Sequence, residues 1–252
     1  PYTIVACSNP KITNRLLSLI LENLNVHCIL EIHEFWPNSV VKTIVQNIPE
    51  NRGILYEDYN EKNYFNFLRA LPTGRILALH NKIPQSVLDK ALKTVPIGTI
   101  IYTPDISNFQ HLEHLYFSLH MGNILHIHHE NMVALLDSLN EFIGVQFSPH
   151  FEPERLLQLV RNFSDNNFYV AHPQEELSRI ELVLDCLPDD CGFSPSSNTT
   201  EELWCHLCAS LSPNHWIMPP LALNEREIIS GLKYLKPFTQ IIFDPQTLGD
   251  IQ

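Results

Sequence analysis

A phrase that occurs twice in the chain limits its fold more than any other feature of the sequence. The segment IPQSVLDKALK at Ile83 leads to GTIIYTPDI at Gly98, and LNEREIISGLK at Leu223 leads to TQIIFDPQTL at Thr239. Each copy predicts an amphipathic helix, a short link and an apolar strand that ends before a proline. The two copies lie in opposite halves of the chain. Repetition at such a distance predicts duplication of a domain rather than a solenoid, whose units are far shorter.

The composition allows two domains with buried cores. The chain has 252 residues, of which 44% are hydrophobic and 17% charged, so neither a disordered chain nor a membrane protein is indicated. Apolar runs stay well below the length of a membrane span, and the N-terminus lacks the basic region of a signal peptide. We therefore expect no membrane insertion. The chain opens within a predicted strand and stops soon after the last one, which suggests a fragment of a longer protein.

The net charge and the cysteine content indicate which binding partners and which cellular compartment to expect. A formal net charge of −12 with 16 basic residues opposes nucleic-acid binding, because that affinity depends on neutralising phosphates with Lys and Arg. Six cysteines without a secretory signal are typical of reduced thiols, so we expect a cytoplasmic protein.

The first half alternates apolar strands with helical periods, which predicts a parallel sheet covered on both faces. The predicted strands are 2–7, 26–32, 53–56, 75–79 and 99–102, and the predicted helices are 12–24, 39–47, 60–71, 85–94 and 108–120. The segment 121–123 looks like a boundary, so the expected domains are 1–121 and 122–252.

The second half is expected to restart the same pattern. Its predicted strands are 124–128, 143–147, 167–171, 215–218 and 240–243, and its predicted helices are 131–141, 153–162, 174–184 and 225–234. The segment at about 187–214, rich in Pro, Ser, Asp and Cys, is interpreted as an insert with one internal helix whose start fits a capping box at Thr199.

The opening VACSNPKITNRLLSLILENLNV, from Val5 to Val26, resembles the start of a CheY-like receiver domain of two-component signalling. In that family the first strand runs into an acidic pair, and the fifth ends in Lys-Pro, where this chain has Thr103-Pro104 and Asp244-Pro245. The resemblance covers nearly the whole chain as two tandem copies. It implies two doubly wound five-stranded parallel sheets of the flavodoxin-like, CheY-like class.

The resemblance also implies a phosphorylation pocket, and this sequence departs from it in both copies. The family uses an acidic pair for Mg²⁺, an acceptor Asp, a Thr or Ser and a Lys, all at the carboxyl edge of the sheet. In the first copy these positions fall on Cys7, Ser8, Glu57 or Asp58, His80 and Thr103. In the second copy they fall on His128, His129, Ala171, Pro219 and Asp244. We therefore expect no bound Mg²⁺, no catalytic residue and no enzymatic activity in this fragment.

The resulting functional prediction is a pair of degenerate, non-phosphorylatable pseudo-receivers from a larger signalling protein, with a catalytic output domain, if any, outside this fragment. Receivers commonly dimerise through the fourth helix, fifth strand and fifth helix, here 85–94, 99–102 and 108–120. We therefore expect protein partners, including a second copy of the chain, at Phe109, Leu112, Tyr116 and Phe117.

Two alternatives remain open from the residues. Cys186, Cys191, Cys205 and Cys208 form a candidate structural zinc site, since thiolates at i and i+3 share one helical face, against the simpler interpretation as buried free thiols. The spacing of the first eight strands also fits a compact (β/α)8-barrel enzyme with its site at the strand ends, although such a barrel leaves about 65 residues without a role.

Overall fold

The computed structural model describes residues 3–6, 19–24, 28–33, 36–105, 112–134, 136–220 and 222–243. The chain divides into two compact units, 1–123 and 124–252. Both consist of parallel strands that alternate with helices, which confirms the predicted α/β class.

The described part of the first unit contains five parallel strands in chain order. Its strands are β1 Thr3–Ala6, β2 Cys28–Ile32, β3 Gly53–Tyr56, β4 Ile76–Ala78 and β5 Ile100–Tyr102. Its described helices are α1 Asn38–Asn47, α2 Glu61–Ala70, α3 Gln85–Thr94 and α4 Leu112–Ser118. Within this unit β1 pairs with β2, β2 with β3, β3 with β4 and β4 with β5.

Six parallel strands, also in chain order, are present among the described residues of the second unit. Its strands are β6 Ile124–Ile127, β7 Gly144–Phe147, β8 Phe168–Val170, β9 Gly192–Ser194, β10 Trp216–Ile217 and β11 Gln240–Ile241. Its helices are α5 Glu130–Val133, α6 Pro153–Val160, α7 Leu177–Cys186, α8 Glu201–Ser210 and α9 Glu225–Leu232. A short 3₁₀ turn at Leu136–Ser138 replaces the rest of the helix predicted over 131–141.

The strand order shows that the prediction of doubly wound, flavodoxin-like, five-stranded sheets is wrong. A flavodoxin-like sheet places its first strand between the second and third, whereas here β2 pairs directly with β3. Consecutive helices of the first unit pack against each other, α1 on α2, α2 on α3 and α3 on α4. These four described helices therefore share one face of the sheet.

The repeat is also much shorter than the two similar phrases suggest. In the second unit the register partners across β7 to β11 are evenly spaced in sequence, at Gly144, Phe168, Gly192, Trp216 and Gln240. This spacing gives a period of about 24 residues, which is in the range of short structural repeats. The offset between the phrases at Ile83 and Leu223 is close to six such periods. The sequence analysis predicted duplication of a whole domain rather than a solenoid of short units. That prediction is wrong about the length of the repeating unit, which is about 24 residues.

The segment 187–214, expected to be an insert, continues this alternation. It contains strand β9, which pairs with both β8 and β10, and helix α8. The predicted helix start is confirmed, although Thr200 rather than Thr199 is the cap, its side chain accepting from the Leu203 N–H at 3.3 Å. A regular strand and helix therefore occupy the region.

The same pairing excludes an eight-stranded barrel. Closing such a barrel requires a free edge on the eighth strand, but β8 is already paired on one side with β7 and on the other with β9. The strands after β8 continue the sheet in the same register.

A column of glycines and aromatic residues crosses the sheet of the second unit. The rings of Phe168 and Trp216 lie 5.3 Å apart between centroids, although their strands are separated by β9. Gly192 makes this approach possible, because a Cβ atom there would lie 2.3 Å from two atoms of the Trp216 ring. The Trp216 Nε1–H donates to the Asp190 carbonyl at 3.1 Å and fixes the ring over the glycine.

Candidate metal centre

The carboxyl ends of β2, β3 and β4 bring four titratable side chains together in the first unit. Glu31 lies in β2, His33 follows it, Glu57 follows β3, and His80 lies two residues after β4. The strands are parallel and neighbours, with Ile32 opposite Tyr56 and the Glu57 N–H donating to the Ile32 carbonyl at 3.0 Å. Ligand sites of parallel α/β sheets form at this edge.

Three of these side chains could hold one metal ion. A donor atom of Glu31, one of His33 and one of Glu57 all lie within 4.8 Å of one another. His33 Nδ1 hydrogen-bonds to Glu57 Oε2, and His33 Nε2 lies 3.9 Å from Glu31 Oε1. Their side chains are 20 to 25% exposed, so an ion can reach them from solvent.

His80 contacts the opposite side of the Glu57 carboxylate. Its Nε2 lies 3.4 Å from Glu57 Oε1, and its Nδ1 accepts the Lys82 N–H at 3.1 Å. Glu57 thus lies between two imidazoles, with one oxygen facing each.

Asp58, one of the two predicted phosphoryl acceptors, is part of a closed hydrogen-bond network. It is 8% exposed and accepts from the Asn63 amide at 2.7 Å, the Asn60 N–H at 2.9 Å and the Tyr56 hydroxyl at 3.3 Å. Burial first, and then the neighbouring Asp58 carboxylate, raise the pKa of Tyr56. A carboxylate with three donors is stabilised in place as a structural acceptor.

Among the described residues, the hydrogen-bond partners of Asp58 include neither His80 nor Thr103, two other positions of the first predicted pocket. Cys7 and Ser8 lie outside the described residues. Thr103 follows β5 and is fully buried, while His80 contacts Glu57 as described above.

The predicted pocket of the second unit is also spread over strands that are not neighbours. His128 follows β6 and Ala171 follows β8, with β7 between them. His129 caps α5 by accepting the Asn131 N–H. Pro219 follows β10, and Asp244 lies outside the described residues.

A buried polar network that includes His126 and Gln146 lies at β6 to β8. From the sequence, His126, His128 and His129 were interpreted as hydrogen-bonded polar groups at a strand end in preference to metal ligands. The His126 ring stacks on that of His128 and tilts towards that of His172, both centroids 5.9 Å away. His126 Nδ1 lies 2.9 Å from the Gln146 side-chain oxygen, so it is the donor. Burial lowers the pKa of His126 well below its usual range and that of His128 to about 4. The imidazoles of His126 and His128 are therefore neutral at pH 7.

Three of the four cysteines of the predicted zinc site contact different partners. Cys191 donates to the Ser164 carbonyl, Cys186 contacts Arg161, and Cys205 contacts Ser230. Burial raises the pKa of Cys191 and of Cys208 to about 12. Within the described ranges, donor atoms of three or more His, Cys, Asp or Glu residues come within 4.8 Å of one another only at Glu31, His33 and Glu57.

The predicted interaction surface is only partly accessible. Phe117 is 62% exposed, whereas Tyr116 is fully buried in the core of the first unit. Leu112 is half-buried, and Phe109 lies outside the described residues.

No protein-family model matches the chain, and a search of curated proteins finds no match. Within the described part of the chain, every helix is too short or too polar to span a bilayer. The receiver assignment stays a prediction from sequence, and the strand order described above does not fit its topology.

Proposed function

We propose that the first unit binds a divalent transition-metal ion through Glu31, His33 and Glu57. The observation that carries this proposal is the presence of three donor atoms within 4.8 Å of one another at the carboxyl ends of two paired strands. Each ligand would come from a backbone held by strand pairing, so little ordering of the chain would accompany binding.

The donor set suits zinc or a neighbouring transition metal. It combines one imidazole nitrogen with carboxylate oxygens, and imidazole favours Zn, Cu, Fe or Ni over Mg and Ca. Ligand distances of about 2.0 to 2.2 Å would apply to both atom types. Two carboxylates also neutralise the charge of a divalent ion.

The partial exposure of the three side chains leaves room for another ligand. Closed structural zinc sites use four protein ligands, whereas sites with three keep a position for water or substrate. The proposed centre belongs to the second type by its ligand count. Its metal would connect β2 with β3 and face solvent.

Isothermal titration of the chelator-treated chain with Zn²⁺ tests the proposal. We expect one site per chain, weakened at least about 10-fold by His33→Ala or Glu57→Gln. His114→Ala is the matched control, because His114 also contacts a carboxylate, Asp89, but on α4 and α3. Failure of the wild-type chain to bind, or zinc binding that survives His33→Ala and disappears in Cys205→Ser/Cys208→Ser, contradicts the proposal.

A protein-interaction module is our second proposal, and exposed apolar side chains near α9 favour it. Ile229 and Tyr234 are 48% and 56% exposed, and Phe238 and Phe243 are 81% and 72% exposed. All four lie between positions 229 and 243, in and after helix α9, and exposed apolar side chains mark interaction sites when they form a patch. We propose that they do so and that a second copy of the chain is the partner.

Light scattering after size-exclusion chromatography tests the second proposal. We expect a dimer that Phe238→Ser dissociates and Phe117→Ser, at the surface predicted from sequence, leaves intact. A monomer at every protein concentration contradicts it, as does dissociation by Phe117→Ser alone.

A further inference from the structure

We propose that His80 is a positioning residue of the metal centre, holding one oxygen of Glu57 so that the other is presented to the ion. This inference rests on the proposed metal binding by Glu31, His33 and Glu57. In this proposal His80 donates a hydrogen bond to the metal ligand Glu57 and does not bind the metal itself.

The protonation of His80 follows from its own turn. The Lys82 N–H donates to His80 Nδ1 at 3.1 Å, and a nitrogen that accepts a hydrogen bond carries no proton in the neutral ring. The proton of the neutral imidazole is therefore on Nε2. That nitrogen is the one that faces Glu57 Oε1 at 3.4 Å, so it can act as the donor after a small rotation.

The backbone around His80 is fixed on both sides. The Ile83 N–H donates to the His80 carbonyl at 3.1 Å and closes the turn that follows β4. The Asn81 amide donates to the Asp105 carboxylate at 3.0 Å and connects this turn to the end of β5. The imidazole thus approaches Glu57 from a turn that two neighbouring strands support.

The two oxygens of Glu57 have different neighbours. Oε2 contacts His33, which is inside the donor group, and Oε1 faces His80, which is outside it. A metal between His33 and Glu57 would take Oε2, while the Nε2–H of His80 would keep Oε1. Glu57 would then bind through one oxygen, with its plane set by His80.

Hydrogen bonds of this kind affect metal affinity without direct contact with the metal. Removing a group that orients a ligand typically costs about 10- to 100-fold in affinity. The same loss should be recovered in part by a side chain that donates a hydrogen bond from a similar position. His80→Gln provides an N–H donor at the end of a side chain of comparable reach.

Zinc titration of the full chain with His80→Ala, His80→Gln and His114→Ala tests the inference. We expect His80→Ala to weaken Zn²⁺ binding about 10- to 100-fold, His80→Gln to recover at least about a third of that loss on a logarithmic scale, and His114→Ala to match wild type. Circular dichroism shows whether each variant is folded, and only folded variants are compared.

The outcomes separate this inference from the proposed function. If wild type binds zinc and His80→Ala binds it equally well, His80 does not position Glu57, but the centre stands. If His80→Gln is as weak as His80→Ala and X-ray absorption shows one imidazole fewer around bound zinc in both, His80 is a ligand and the inference fails. If wild type binds no zinc, both fail.

Discussion

Replacing Gly192 with alanine tests the packing that the short repeat imposes on the second unit. The added Cβ atom would lie 2.3 Å from two Trp216 ring atoms and 2.5 Å from a third. Carbon atoms in contact normally lie about 3.5 to 4.0 Å apart. The ring or strand β9 must therefore move by more than about 1 Å.

The expected cost has two parts. Overpacking of a core position destabilises by about 1 to 3 kcal/mol. Movement of the indole would also break the hydrogen bond from its Nε1–H to the Asp190 carbonyl at 3.1 Å. A buried polar group left without a partner lowers the free energy of unfolding by about 1 to 3 kcal/mol. We expect Gly192→Ala to lower the free energy of unfolding of the second unit by about 2 to 6 kcal/mol when both apply.

Urea unfolding followed by circular dichroism and tryptophan fluorescence measures this cost. A matched control is Ser194→Ala, which removes an atom from the same strand instead of adding one. In a Trp216→Leu background the additional cost of Gly192→Ala should fall below about 1 kcal/mol, because the smaller side chain leaves room for the methyl group. A loss under about 0.5 kcal/mol in the wild-type background, or an equal loss in both backgrounds, refutes the packing argument.

The other predictions concern charge and chemistry. Because burial lowers the pKa of His128 to about 4 and the pKa of His126 well below its usual range, the unfolded state takes up protons near pH 6.5 that the folded state does not. The stability of the second unit should therefore fall as pH drops from about 6.5 towards 4, by up to about 1.4 kcal/mol per pH unit for each histidine. Urea midpoints at pH 7, 6 and 5 measure that slope, which His126→Gln should reduce; a flat profile contradicts it. Asp58→Ala should lower the stability of the first unit by about 1 to 3 kcal/mol, because it leaves the buried Tyr56 hydroxyl and two partly buried N–H donors without their acceptor; thermal unfolding checks this, with exposed Glu61→Ala as control. Acetyl phosphate with Mg²⁺ should leave the amide NMR signals around Asp58 unchanged, and chemical shift changes there would show that this carboxylate is reactive after all.

The positions of strands and helices could be read from sequence, but their order in the sheet could not. Apolar periodicity gave β3 at 53–56 and α3 at 85–94 with the observed bounds, because local patterns fix element type. Strand order depends on pairing between distant segments, which no local pattern specifies. Strand β9 was missed since it has only three residues, begins with Gly192 and is followed by a proline at position 195.

Two of the four residues at the candidate metal centre could be identified from the sequence. Glu57 and His80 were identified as strand-end positions, while Glu31 and His33 were not. The signal that could have found them is their spacing of two residues at the end of an apolar strand, which places both side chains on one face. Their approach to Glu57 depends on β2 lying beside β3, and the receiver-like order assumed from the opening segment placed these strands apart.

The alternation of glycine and aromatic residues across β7 to β10 constrains how such a chain can gain or lose length during evolution. Deleting a single repeat would place Phe168 directly beside Trp216 or Gly144 beside Gly192, so that rings would collide or a void would open. Deleting or inserting two consecutive repeats together restores the order of small and large side chains. In this part of the chain, repeats should therefore be gained or lost in pairs, although the backbone geometry repeats with every single strand and helix.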